Sequence, residues 1–176
     1  MLKNYLFILT FLFSLLLFSN ILAEEPKYQT QPPPEALKYF IELEGEWIGT
    51  HINHDGEEEK VDLVYRTVSG GTAVEERIFA NTPQEMVTMY HGSGNDGLLM
   101  THYCMLGNQP RLYLEITDRK AFDFRFLDGA GIDLKKTGHM GGMKMTILDE
   151  NTFEQEWAYF EGGEVKNSSK FIFTRK

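Results

Sequence analysis

The sequence predicts an all-β protein, an antiparallel up-and-down barrel of about ten strands preceded by one short helix. Three observations lead there. From Trp47 to the C-terminus, apolar residues recur with the period of two that puts alternate side chains on opposite faces of a strand. Short clusters of Gly, Asn, Asp and Pro interrupt that alternation at close intervals, as hairpin turns require. No long helical pattern follows residue 44 to cover a sheet, so the strands must bury their apolar face against one another. A single barrel is the economical closure, with a two-sheet sandwich as the alternative.

Residues 1–23 read as a signal peptide. Lys3 supplies a positive start, Tyr5 to Phe18 is almost wholly apolar, and Ala23 offers a small residue for cleavage. Ser19 and Asn20 interrupt the run short of the roughly 20 residues a spanning helix prefers, which favours cleavage over an uncleaved anchor. Export is the consequence, to the periplasm or outside the cell. Residues 24–34 form a proline-rich leader ending in Pro32-Pro33-Pro34. The folded domain is then 35–176, long enough for one core without disulfide or metal.

Pro34 suits the first position of a helix over 35–43, where Leu37, Phe40 and Ile41 share a face and Gly45 ends the run. Strands are expected at 47–53, 60–68, 72–80, 85–91, 98–104, 111–117, 121–127, 140–148, 152–160 and 165–175. The turns between them include Asp55-Gly56, Ser69-Gly70-Gly71, Asn81-Thr82-Pro83 and Gly162-Gly163. Short links between sequential strands make an antiparallel meander.

Gly45-Glu46-Trp47, after a short helix and at the start of the first strand, resembles the Gly-x-Trp signature of lipocalins and the wider calycin group. The resemblance implies that Arg175, at the end of the last strand, packs across Trp47 and closes the base of the barrel. Gly45-x-Trp47-x-Gly49 also resembles the opening of nitrobindin-like haem-binding barrels, although His51 stands where those carry a further glycine. The segments Thr101-His102-Tyr103-Cys104 and Gly107-Asn108-Gln109-Pro110-Arg111 are similar to a family of uncharacterised bacterial exported proteins. That likeness implies a lipocalin-like barrel and brings no activity with it.

Chemistry-bearing residues gather between Glu85 and Arg111, where the only cysteine and two of the five histidines fall. Pairing His91 with Leu98 across the loop 92–97 would oppose Met89 to Met100 and Val87 to His102. Val87, Met89, His91, Leu98, Met100, His102 and Cys104 then share one soft, mainly apolar face; a slip of one residue breaks the grouping. The candidate ligand-binding residues are His91, His102, Cys104, Arg111, Tyr103, Trp157, Met89 and Met100. Trp157 enters with Gln155 because the two share a face of their strand, as Glu75 and Arg77 do of theirs. Asn108 and Pro110 read as a structural turn, and Arg111 as a carboxylate clamp or a partner of Glu85 or Glu115.

His91, His102 and Cys104 are chemically fit to bind a metal but follow no recognised ligand spacing, so no metal is assigned. Catalytic residues and cofactor stay unassigned. The formal charge is −9, and −10 once Lys3 leaves with the signal segment, which argues against nucleic acid and anionic lipid as partners. The reading is an exported protein that binds a small, mainly apolar ligand in its barrel, with no membrane association after signal cleavage. Two alternatives stand beside it: an enzyme using a His/Cys-lined cavity with His102 as acid or base, and an envelope or interaction module with a filled interior.

Overall fold

The structure is a computed structural model and describes residues 32–94, 97–118 and 120–176. The signal segment expected at 1–23 and most of the leader expected at 24–34 lie outside the described residues. Helix α1 (Leu37–Ile41) leads into ten strands: β1 (Gly45–Ile52), β2 (Glu58–Val68), β3 (Ala73–Ile78), β4 (Met86–Gly92), β5 (Leu98–Tyr103), β6 (Gln109–Thr117), β7 (Ala121–Ala130), β8 (His139–Asp149), β9 (Thr152–Glu161) and β10 (Glu164–Arg175). Every strand pairs antiparallel with its neighbours in sequence, and β1 pairs with β10 to close the barrel. Closure leaves no unpaired edge along the meander. Among the described residues no helix is long and apolar enough to cross a membrane.

Helix α1 is shorter than the expected 35–43. The Leu43 amide bonds back to the Phe40 carbonyl and the Glu44 amide to that of Ile41, so the last turn tightens into three-residue spacing. Gly45, at φ 129°, then turns the chain into β1, a conformation costly for any residue with a Cβ. The helix is a plug. Leu37 and Phe40 are fully buried, and Phe40 stacks on Tyr90 at 4.3 Å and meets Phe122 and Phe124 edge-on.

Beside the plug, Trp47 and Arg175 are register partners across β1 and β10. The guanidinium lies 4.2 Å from the centre of the indole ring. Its Nη1 and Nη2 donate to the Glu44 and Glu42 carbonyls at 2.8 and 3.0 Å, groups left open where α1 ends. The Trp47 indole N–H donates to the Leu43 carbonyl at 2.9 Å. One arginine therefore joins the last strand, the first strand and the helix end, as the calycin resemblance implies.

The hairpin of β4 and β5 differs from expectation by one residue. Gly92 stays in β4 and pairs with Leu98, so His91 faces Leu99, Tyr90 faces Met100, Met89 faces Thr101 and Thr88 faces His102. The loop is 93–97, closed by the Ser93 amide on the Gly97 carbonyl at 2.9 Å. Pro34 packs on Gly92, where a Cβ would come within 3.1 Å of the proline Cδ. Because side chains alternate strictly, this slip exchanges the two faces of β4. Thr88 and Tyr90 point inward with Leu98, Met100 and His102, whereas Val87, Met89 and His91 point outward.

Strand β3 also ends early, at Ile78 instead of residue 80. Phe79 and Asn81 adopt left-handed conformations with φ of 55° and 63°, which stop the ladder. A bulky residue at positive φ costs of order 1–3 kcal/mol and persists only where the surroundings fix it. The Phe79 ring is held edge-on against His51 and Phe171.

Candidate functional site

The helix and the aromatic cluster fill the end of the barrel that holds Trp47, Leu98 and Phe122. The opposite end is open, with a cavity of about 310 Å³. Its wall is built by His51 of β1, Glu59 of β2, Ile78 of β3, Met86 of β4, His102 of β5, Met140 of β8, Trp157 of β9, and Ser169 and Phe171 of β10. Phe79 and Gln84 from the β3–β4 loop and Cys104, Met105 and Leu106 from the β5–β6 loop form the rim. The lining is mainly apolar, and Met105 and Leu106 stand exposed at the mouth.

His102 and Trp157 pack together in that wall, ring centres 4.7 Å apart. Behind them lies a buried polar network spanning four strands. The Trp157 indole N–H donates to Gln155 Oε1 at 3.0 Å, and Gln155 Nε2 donates to Glu76 Oε2 and to the Tyr65 hydroxyl, both at 2.9 Å. The Tyr90 hydroxyl donates to Glu76 Oε2 at 2.7 Å, and the Tyr65 hydroxyl donates to the same oxygen. Three donors converge on one oxygen, which suits an ionised carboxylate, an acceptor without a proton to place.

Burial pushes the Glu76 pKa up, and Tyr65, Tyr90, Gln155 and Thr88 pull it back by favouring the charged form. Burial and the adjacent carboxylate hold both tyrosine hydroxyls protonated, well above the ordinary range. Thr88 is the cross-strand partner of Glu76 on one side and of His102 on the other. Its Oγ1 lies 2.9 Å from His102 Nδ1. Glu76 Oε1 is sealed from solvent and makes no hydrogen bond of normal geometry. His102 is 2% exposed, and burial lowers its pKa to about 4, so the ring is neutral at pH 7.

A second imidazole meets the same cavity. His51 stacks on Phe171 at 4.3 Å with its Nδ1 2.8 Å from Glu59 Oε1, and its Nε2 is buried without a hydrogen-bond partner among the described residues.

Of the residues expected from sequence to bind a ligand, His102, Cys104 and Trp157 line the cavity. Burial raises the Cys104 thiol pKa, so it stays protonated at neutral pH. The other five lie away from it, two of them, Met89 and His91, through the one-residue slip in β4. Met100 faces inward but into the packed core against Tyr90. Met89 and His91 lie on the outer face, with His91 Nδ1 2.8 Å from the Gly92 carbonyl at the plugged end. Tyr103 is half exposed on the outside. Arg111 also points out and clamps Asp128 through both carboxylate oxygens; Glu85 instead bonds Arg77, and Glu115 bonds Arg125. Asn108 does more than shape its own turn, because its Nδ2 donates to the Gly138 carbonyl at 2.9 Å and ties the β5–β6 loop to the approach to β8.

The pairing of Gln155 with Trp157 does point inward, whereas Glu75 and Arg77 form a surface ion pair at 2.6 Å. Their neighbour Glu76 is the buried acid. Sequence reasoning missed Glu76, Thr88 and Tyr65 for one reason: polar groups whose partners lie on other strands inside a barrel look, in sequence, like solvent-facing positions. His51 stood out in the sequence chiefly as an irregularity in the opening motif. Among the described residues, no group of three or more His, Cys, Asp or Glu is placed to hold a metal ion.

The closed ten-stranded meander, helix-plugged and braced at Trp47 by Arg175, is consistent with the calycin architecture in general. No protein-family model matches the sequence, and no curated protein does either. The fold is similar to that of a protein of unknown function of the DUF3598 family from Nostoc punctiforme, with a TM-score of 0.54 and 12% identity over 82% of this chain and 51% of that one. The chain thus spans about half the length of that protein, and the likeness is one of fold. Weaker similarities are to a redesigned β-barrel (TM-score 0.38, 10% identity, 78% of this chain and 95% of that one) and to EF1p2_mFAP2b bound to DFHBI (0.40, 10%, 77% and 95%).

Proposed function

We propose that this chain is an exported binding protein for a small, mainly apolar ligand held in the open end of the barrel. The observation that carries the reading is the cavity of about 310 Å³, lined by aromatic, aliphatic and sulfur-containing side chains with a few convergent polar atoms. That mixture is what small-molecule sites use: apolar walls for affinity and rare polar groups for orientation. The strained Phe79 at the rim fits the same reading, since backbone strain collects at functional sites. The signal segment read in residues 1–23 supplies export, and the acidic balance of the chain disfavours nucleic acid and anionic lipid as the partner.

A catalytic use of the cavity has one observation behind it, the His102 imidazole that lines the cavity with its Nε2 bonded to no described residue. It takes the lead if a substrate found by screening is turned over by the native protein and not by a folded His102→Ala variant.

The binding reading is tested by titrating the purified protein with naphthalene and following tryptophan fluorescence, alongside native mass spectrometry of the protein as isolated. Saturable quenching that disappears in Trp157→Phe is expected, because Trp157 lines the cavity and Trp47 is buried at the other end. An apo mass together with no saturable binding would sink it.

A further inference from the structure

Resting on the cavity reading above, we propose that the ligand is a largely apolar molecule of about two fused rings carrying a hydrogen-bond donor, and that Nε2 of His102 accepts that donor. The size follows from the space. A cavity of about 310 Å³ is roughly twice the ~150 Å³ apolar cavity that accommodates benzene. The flat shape follows from the wall, where the rings of Trp157, His102, Phe171 and His51 offer faces and edges to stack on.

The donor follows from counting protons along the line Glu76, Thr88, His102. Glu76 Oε2 collects three donors while Oε1 is sealed and unbonded. Thr88 stands directly opposite it in the ladder, and a hydroxyl has a single proton to give. Thr88 is among the side chains that favour the charged form of Glu76, and a carboxylate so placed competes for the hydroxyl proton, so the 2.9 Å contact between Thr88 Oγ1 and His102 Nδ1 is assigned to the proton of the imidazole. A neutral ring protonated at Nδ1 has a bare lone pair at Nε2. His102 lines the cavity, and its Nε2 bonds to no described residue. The neighbouring indole N–H, which could have filled a complementary role, is already given to Gln155. At this point the wall therefore offers an acceptor and no free donor. His51 also lines the cavity, but its Nδ1 meets the Glu59 carboxylate and its Nε2 is sealed from the space, so it is no second acceptor for the ligand. An acceptor set in a mainly apolar wall is poorly solvated, and a ligand N–H or O–H that reaches His102 Nε2 supplies its hydrogen bond.

The experiment compares naphthalene, 2-naphthol and 2-methoxynaphthalene, which share a ring system and differ in the presence of a donor. On the wild type, 2-naphthol should bind about tenfold more tightly than 2-methoxynaphthalene. In His102→Phe the two should bind alike, and Thr88→Val, which leaves the imidazole in place but frees its tautomer, should narrow the gap. A ¹⁵N spectrum of the wild type without ligand should show His102 protonated at Nδ1 and bare at Nε2. Equal binding of 2-naphthol and 2-methoxynaphthalene to the wild type overturns the inference while leaving the cavity reading intact, as does the opposite tautomer. If none of the three compounds binds, the cavity reading falls and this inference with it.

Discussion

Acid should destabilise this protein through His102 in a way that one substitution removes. The imidazole ordinarily titrates at 6.5 and is lowered to about 4 in the fold because it is buried, 2% exposed, between Trp157 and Thr88. The sign is fixed by proton binding. Between those values the unfolded chain is protonated at this site and the native one is not, so stability rises with pH across the window and is lost as pH falls from 6.5 toward 4. At about 1.4 kcal/mol per unit, the contribution present at pH 7 and missing at pH 4 is about 3 kcal/mol. Urea unfolding of wild type and His102→Phe at both pH values isolates it, because the surface carboxylates contribute alike to both proteins. The wild type should lose about 3 kcal/mol more than the variant over this interval. Equal losses, with unchanged dependence on urea, would refute the burial of a neutral imidazole and with it the proton assignment along Thr88.

Three further outcomes test the frame around the cavity. Glu76 titrates in the opposite sense: its pKa is raised by burial, so the native carboxylate costs stability as pH climbs above the ordinary value of 4.5, and Glu76→Gln should gain on the wild type as pH rises from there in urea titrations. A gain that runs the other way would mean that Tyr65, Tyr90 and Gln155 outweigh burial. Gly49→Ala should cost about 2 kcal/mol or more in thermal unfolding, since the added Cβ would lie 2.5 Å from the Phe173 ring and 2.9 Å from the Ile172 carbonyl oxygen, with backbone on one side and a packed ring on the other. Arg175→Ala should cost about 2 kcal/mol by the same measurement, and Arg175→Lys should recover less than half of it. A lysine cannot both lie flat on Trp47 and bond the Glu42 and Glu44 carbonyls.

The sequence by itself determined the architecture. Period-two alternation, turn residues at short intervals and the lack of any later helix leave a sequential antiparallel meander, and each of the ten expected strands overlaps an observed one. Gly45, Trp47 and Arg175 also disclosed the base of the barrel, because a glycine forced to positive φ and an aromatic–arginine pair at the two ends of the meander have local causes. Register was another matter. Both faces of β4 carry mixed polar and apolar residues, so alternation alone could not choose between Met89 and Tyr90 as the inward side chain. In the folded barrel Gly92 pairs with Leu98 and packs against Pro34, so the loop is one residue shorter, Thr88 turns inward and His91 turns out. The same limit hid Glu76. A carboxylate in a barrel is intelligible only once Tyr65, Tyr90 and Gln155, distant in sequence, are seen to converge on it. The strands were written in local pattern; the site was written in the contacts among them, which exist only after the barrel has closed.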